Sequence, residues 1–569
     1  MCASLPGRKA ILAQFIADGM NVMFGNPGTV EQGFLDALRD YPEFRYILTL
    51  QESVAVLAAD AYARASRRPT LVQLHSTPGI GNAIGALYQA KRGHSPLVVI
   101  GGDAGIRYAA MDAQMAGDLV AMCEPVCKWS AVVQDPNSLL RMLRRAIKIA
   151  GTAPMGPVYL CLPQDILDQE TTEEVRPTSF PSTRVAPAHD LIAQAADALA
   201  AANVPTIFVG DGVAYSGAQS ELAAVAELLG AEVYGVDSGE LNIAYDHPLY
   251  RGQTGHMFGA TSRPTLARGD GVLVVGTYIV PEVFPELGEV FSPTARVVHF
   301  DLNAYEIAKN HRVDIGVVSD PKLSLAALAA ALTARLTPAQ KEAAAKRASA
   351  LQTAKHAADV QTKAADAVTF GRSPLTSAFF MSELAKQMPA DAIVFDEALT
   401  NSPALTRYLP PQKPGTFFQT RGGSLGVGFP GAIGLQVLNP GRTVVGFSGD
   451  GGAMYTIQAL WSAARHNLPA KFVVCNNASY KLLQLNIQQW WQEAGVAPHE
   501  FPACFDLSHP ALGFAELARG LGVAGRRVSQ AAEVEPVIRE MLAHPGPFLL
   551  DLVLPGDVDP AQIGVKCGH

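Results

Sequence analysis

At 569 residues, with 49% apolar and 17% charged side chains, the chain has room for about three to four domains and is too apolar to be disordered. A net charge of −8 and a pI near 5.9 argue against nucleic acid or an anionic membrane surface as partner. No run is apolar enough to span a bilayer, and Met1 to Met20 holds Arg8 and Lys9 but no sustained apolar stretch or cleavage site, so no signal peptide is expected.

The first segment, residues 1–185, alternates helical stretches with the brief apolar runs VMFGNPG, YILTLQE, TLVQLHS, LVVIGG and PVYLCLP. Each closes on Gly, Pro or a polar turn, the pattern of a buried parallel sheet. Seven cysteines scattered along the chain make no disulfide framework. Cys123 and Cys127 are read as buried free thiols, since no second pair completes a metal site, and the cytoplasm is the compartment expected. A Pro-, Thr- and Ser-rich linker, Arg176 to Pro187, follows.

The second segment, 188–335, repeats the scheme with PTIFVGDG, EVYGVDS, GVLVVGT and RVVHFDLN. Pro338 to Ala367, rich in Ala, Lys and Gln, predicts a solvated helix. The third segment, 372–569, holds AIVFDEA, TVVGFSGDGG, KFVVCNN and PFLLDLVLP. The fold class expected is α/β, with three doubly wound parallel-sheet domains.

In the third segment the strand Thr443 to Phe447 enters Gly449-Asp450-Gly451, a helical stretch with Ile457, Leu460, Trp461 and Ala464 follows, and the next strand ends at Asn476-Asn477. A right-handed crossover brings both strand ends to one edge of a parallel sheet, so Asp450 and Asn477 should meet where ligands bind. A carboxylate, an amide oxygen and a nearby carbonyl are hard ligands suited to Mg²⁺. A second such turn, Gly210-Asp211-Gly212, has no Asn pair after it.

Gly-Asp-Gly followed about two dozen residues later by Asn-Asn resembles the thiamine diphosphate signature. The whole chain is similar to thiamine-diphosphate-dependent 2-oxo acid decarboxylases and carboligases, built from pyrimidine-binding, middle and diphosphate-binding domains. FGNPGT, YILTLQES, VQLHSTPG, GNAIGALYQA, HSPLVVI and KWS most resemble benzoylformate decarboxylase, as do GGSLGVGFPGAIG and GDGGAMYTIQALW. The middle segment matches more loosely.

The resemblance implies roles. Glu52 matches the acid that holds the coenzyme's pyrimidine ring, so that the ring's amino group can take the C2 proton. Such an acid is expected to be kept from water with a raised pKa. Glu52 also opens a helical stretch, where an acid is favourable on dipole grounds alone. In GGSLG, Gly423 would offer its carbonyl to the amino group and Leu425 a wedge under the coenzyme. Gly449, Gly451, Gly452, Thr400 and Tyr480 would bind the coenzyme, the glycines through amides that favour anions. Mg²⁺ would be held by Asp450, Asn477 and the main-chain oxygen of Ser479. His75 coincides with a proton-transfer histidine, and Thr29 replaces a serine that contacts the substrate carboxylate. His94 is read as structural.

Departures from that pattern lie on the substrate side. Where a second histidine is expected after GVLVVGT, the chain reads TYIVPEVFPELG and offers only Glu282 and Glu286. Leu482 and Asn486 alter the pocket wall. The expected activity is decarboxylation of a 2-oxo acid, with aldehyde release or transfer to an aldehyde acceptor. The alternative is a carboligase like acetolactate synthase or benzaldehyde lyase. FAD is admitted by the likeness to acetolactate synthase and required by nothing in 188–335. A homodimer or homotetramer with active sites at the subunit interface is implied. An NAD-linked oxidoreductase is disfavoured, because no G-x-G-x-x-G opens a helix with an acidic residue on the following strand.

Overall fold

A computed structural model describes residues 4–556. They form three six-stranded sheets in which every paired strand is parallel, plus a small antiparallel pair, Leu5–Pro6 with Glu170–Thr171. Counted along the chain, the strands of the first sheet (Val22–Gly25 to Val158–Pro163) and of the third (Ile393–Asp396 to Phe548–Val553) both lie in the order 2-1-3-4-6-5. The middle sheet, Pro205–Val209 to Ile315–Val318, has the order 3-2-1-4-5-6. The α/β class with three parallel sheets is as the sequence indicated.

Five strands of the three large sheets escaped the sequence reading: Trp129–Val132, Tyr250–Thr254, Ile315–Val318, Phe417–Gln419 and Ala524–Val528. All five are sheet edges. An edge strand is covered on fewer sides, so it needs no continuous apolar run. The helix expected after Gly449-Asp450-Gly451 is broken into Asp450–Ala453 and Ala459–Arg465. Pro338–Ala367 is a single helix with Pro338 in its first turn and a capping box between Thr337 and Gln340. Ala344 alone among its residues is buried, as a solvated helix requires. No helix of the described residues is long and apolar enough to cross a membrane.

The first and third domains share one core. Helix Glu52–Ser66 starts where the Gln51 side chain accepts from Val54 N at 3.2 Å and ends on Arg67 in the left-handed region, φ 58°. It lies against helix Gly428–Leu438 of the third domain. The helices approach so closely that a Cβ on Gly434 would stand 2.0 Å from the Ala58 carbonyl oxygen. His466 Nε2 accepts from Leu48 N at 2.8 Å across the same boundary.

The middle domain has its own core and joins the others through buried charge. Arg64, on helix Glu52–Ser66, has no exposed side-chain surface and donates to the carbonyls of Gly239 at 2.7 Å and Gln419 at 2.9 Å. It also pairs with Glu240 at 3.5 Å and with Asp60 at 3.8 Å. Arg67 Nη1 donates to Glu240 Oε1 at 2.9 Å. From the third domain, Arg421 Nη1 lies 3.5 Å from Asp211. One guanidinium thus touches all three domains.

Removing one partner of a buried pair leaves the other charge unpaired, at a cost of about 3–5 kcal/mol. Arg64→Met should therefore lower stability by about that much in urea unfolding. Arg539→Met, which breaks an exposed pair with Glu535, should cost under about 1 kcal/mol. Equal effects would show that the junction does not stabilise the fold.

Candidate active site

In a 2-1-3-4 sheet the chain turns opposite ways after strands 1 and 3, and their ends bound a ligand crevice. In the first sheet that edge carries Thr29 and His75, with Glu52 after strand 2. A Cβ on Gly79 would stand 3.4 Å from Glu52 Oε1 and 3.5 Å from His75 Cβ, so the two side chains flank one spot. Gly28 packs on the imidazole so tightly that a Cβ there would lie 1.9 Å from His75 Cγ. Thr29 is exposed beside it.

His75 Nδ1 lies 3.0 Å from Glu31 Oε2. Glu31 is 4% exposed and also accepts from Gly102 N at 3.0 Å. Burial raises the Glu31 pKa, opposed by the imidazole and by the amides of Gly102 and Gly28. Sequence reasoning missed Glu31; its place two residues after Thr29 was the available signal. Glu52 departs from expectation, for this chain leaves it half-exposed, with Asn82 Nδ2 donating to it at 3.0 Å in the open. His94 is a structural residue: its Nδ1 lies 3.3 Å from the Met155 carbonyl, its ring meets Tyr215 edge-on, and burial lowers its pKa to about 4.

The third sheet repeats the arrangement. Asp450, 3% exposed, accepts from Asn477 N at 3.0 Å and Ser479 N at 3.4 Å. Asn477 Oδ1 accepts from Ser479 N at 3.0 Å. Burial pushes the Asp450 carboxyl up while these amides pull it down. The amide of Gly451, expected to face an anion, donates instead to Asp450 Oδ1 at 2.7 Å. Tyr480 covers Gly451, where a Cβ would meet its ring at 2.3 Å. Gly449, Gly452 and the half-buried Thr400 complete this edge, and Gly423 (φ +77°) and Leu425 follow strand 2.

Asp450, Asn477 and the Ser479 segment converge on one oxygen-rich spot, and Ser479 Oγ is buried without a partner. No group of three His, Cys, Asp or Glu side chains among the described residues could hold a metal; the set here is one carboxylate with amide and main-chain oxygens, which are hard donors. A small hard cation with a diphosphate suits it.

Glu397, also missed, clasps the two glycine loops. Its carboxyl accepts from Gly426 N at 2.6 Å, Gly428 N at 2.8 Å and Ser448 Oγ at 3.0 Å. Its apolar flank in AIVFDEA made it read as the end of a strand.

A flavin dinucleotide does not fit the middle sheet. In the turn after its first strand, Gly210 N donates to Val275 O, Gly212 N to Gly276 O and Val213 N to Gly210 O. Ala214 N donates to Asn242 Oδ1 at 3.0 Å. The Asp211 carboxylate fills the crevice and accepts from Gly239 N and Glu240 N. Four amides of this turn are thus taken, and the Asp211 carboxylate beside them would repel a pyrophosphate.

A cavity of about 270 Å³ opens where the three domains meet, with Tyr88, Arg92, His256, Glu282, Leu399 and Gly423 in its wall. Of the candidate residues it takes Gly423 and none of Thr29, Glu52 and His75. The segment after Gly271–Val275 offers no histidine, yet the middle domain supplies one, His256, from the loop after the edge strand Tyr250–Thr254.

Comparison with known proteins gives the same fold and chemistry. Residues 7–122 match the thiamine pyrophosphate enzyme N-terminal TPP binding domain, 192–328 the central domain and 400–552 the C-terminal TPP binding domain. Benzoylformate decarboxylase of Pseudomonas aeruginosa is 31% identical over 94% of this chain and 96% of its own length. Acetolactate synthase 1 of Oryza sativa is 29% identical over 94% of this chain and 83% of its own. The thiamine-diphosphate-dependent 4-hydroxybenzoylformate decarboxylase of Rhodococcus jostii superposes with a TM-score of 0.81 at 26% identity, covering 98% of this chain and 100% of that one.

Burial raises the Glu397 pKa to about 7 from the ordinary 4.5, against the pull of its three donors. Between those values the folded protein holds a proton that the unfolded chain has released. Stability should fall as pH rises across that window, by on the order of 3 kcal/mol. Glu397→Gln should flatten this dependence, measured by urea unfolding at pH 5 and 7. An unchanged slope would place the proton elsewhere.

Proposed function

Because this chain belongs to the thiamine pyrophosphate enzyme family and is a thiamine-diphosphate-dependent decarboxylase or carboligase, we propose that it decarboxylates a 2-oxo acid and releases the aldehyde or passes it to an acceptor. The observation that carries this reading is the pair of like-ordered sheets. One presents Glu52, His75 and Thr29 at its crevice, the other the oxygen set of Asp450, Asn477 and Ser479.

When bound, the coenzyme supplies a nucleophilic carbon and an electron sink for the carboxylate's departure. The chain's own part is to hold and to move protons. Asp450 and Asn477, with the main-chain oxygen of Ser479, would hold Mg²⁺, and the Gly449 to Gly452 turn, Thr400 and Tyr480 would take the diphosphate end. The Gly423 carbonyl would accept from the pyrimidine amino group, Leu425 would support the ring, and Glu52 would exchange a proton with a ring nitrogen.

Glu31 holds Nδ1 of His75 and so leaves Nε2 toward the product, to which the imidazolium, protonated at both nitrogens, would deliver its Nε2 proton. The Thr29 hydroxyl binds the substrate carboxylate. Glu52 is only partly buried in a single chain, and no hydrogen bond or ion pair among the described residues joins it to Asp450, Asn477 or Ser479. Both facts support a coenzyme enclosed between two subunits of a homodimer, alone or within a tetramer. The buried thiols Cys123, Cys127, Cys161 and Cys475 support a reducing, cytoplasmic setting.

The carboligase reading has support of its own. Glu282 stands where a second proton-donating imidazole was expected, and a product not promptly protonated survives to meet an acceptor.

The direct test supplies thiamine diphosphate, Mg²⁺ and pyruvate, branched-chain or aryl 2-oxo acids, and identifies products by mass. Aldehydes support decarboxylation, hydroxyketones the carboligase; no product from any of them would refute both. Glu52→Ala should lower turnover by about 10²-fold or more while coenzyme affinity stays within about tenfold by fluorescence titration. Asp450→Ala should abolish Mg²⁺-dependent coenzyme retention, and unchanged affinity would exclude the proposed metal ligands.

A further inference from the structure

The cavity between the three domains has a polar wall that nothing in the chemistry above uses. Glu282 is 7% exposed, lines the cavity, and its Oε2 has no hydrogen-bond partner. The segment that delivers it is fixed at a cost. After strand Gly271–Val275 the chain passes Ile279, fully buried, and Val280, 9% exposed and in the left-handed region at φ +66°. A β-branched residue resists that conformation, and such strain persists where the surroundings enforce it. Here Pro281 abuts Gly255, where a Cβ would come within 2.7 Å of its ring. The backbone that carries Glu282 is thereby held against the neighbouring loop.

The cavity's one guanidinium does not answer it. Arg92 hydrogen-bonds to the Tyr278 hydroxyl and lies over that ring at 5.2 Å. A buried carboxyl oxygen without a donor is costly, and a ligand that brings a donor is bound in preference to one that does not. Gly423 and Leu399 form another wall of the same space, so a substrate seated at the coenzyme end would extend toward Glu282.

We propose that Glu282 determines specificity: the 2-oxo acid that enters this cavity carries a hydroxyl or ammonium group remote from its oxo-acid end, and Glu282 accepts its hydrogen bond. The inference rests on the reading above that the substrate is a 2-oxo acid.

The experiment uses the full chain with thiamine diphosphate and Mg²⁺. It compares kcat/KM within matched pairs: 4-hydroxybenzoylformate with benzoylformate, 4-(aminomethyl)benzoylformate with its methyl counterpart, and 6-hydroxy-2-oxohexanoate with 2-oxohexanoate. In parallel, calorimetry measures binding of the corresponding 2-hydroxy acids, which lack the reacting ketone. At least one donor-bearing member should be favoured about tenfold or more in kcat/KM and in affinity. Glu282→Gln and Glu282→Leu should bring that ratio to within about threefold of unity, circular dichroism confirming that both are folded.

No preference in any pair, a preference that survives in both variants, or no binding by any 2-hydroxy acid overturns the inference. Coenzyme binding with turnover but without preference sinks this inference alone. Failure to bind the coenzyme sinks the parent reading.

Discussion

Arg64 is the contact on which the architecture depends. Its side chain is sealed from solvent and ends among the Gly239 and Gln419 carbonyls, Glu240 and Asp60. A buried guanidinium is tolerable only when its donors are matched, and here the matches come from all three domains. Gly239 must lack a side chain for this to happen: a Cβ would come within 2.7 Å of both Arg64 and Arg421. The loop that bears it would otherwise fill an α/β ligand crevice with solvent. In this protein the crevice is filled with ion pairs, and the middle domain serves as a wedge that aligns the other two.

That alignment explains why two sheets of one strand order stand beside a third of another. The outer two place their strand 1 and strand 3 ends at comparable edges, one rich in proton-carrying groups and one in oxygen donors. Their helices Glu52–Ser66 and Gly428–Leu438 meet at backbone distance, which only alanine and glycine permit. Within one chain the two edges are rigidly related but not joined. The middle domain contributes instead to the wall of the interdomain cavity, through His256 and Glu282.

The parts legible in the sequence were those where one residue type answers one local demand. Central strands announced themselves as unbroken apolar runs, and the Asp450 turn with Asn476-Asn477 announced a crossover whose ends meet, as Asn477 N and Asp450 Oδ2 do at 3.0 Å. Five of the six edge strands did not, because half-covered strands tolerate polar residues. Glu31, Glu397 and His256 eluded the reading for another reason. Each acts through neighbours far along the chain: Glu31 through His75 and Gly102, Glu397 through Gly426 and Ser448. Their significance is tertiary. The expectation that Glu52 is sheltered failed in one chain because shelter at an open sheet edge must come from another surface.

The press of Gly28 on the His75 ring has an evolutionary corollary. Alanine at residue 28 would drive a methyl carbon to 1.9 Å from the imidazole, so residue 28 cannot gain a side chain while His75 stands. Lineages that trade the histidine away are released from the glycine, and a joint change at 28 and 75 would mark a descendant that has abandoned this manner of handling protons.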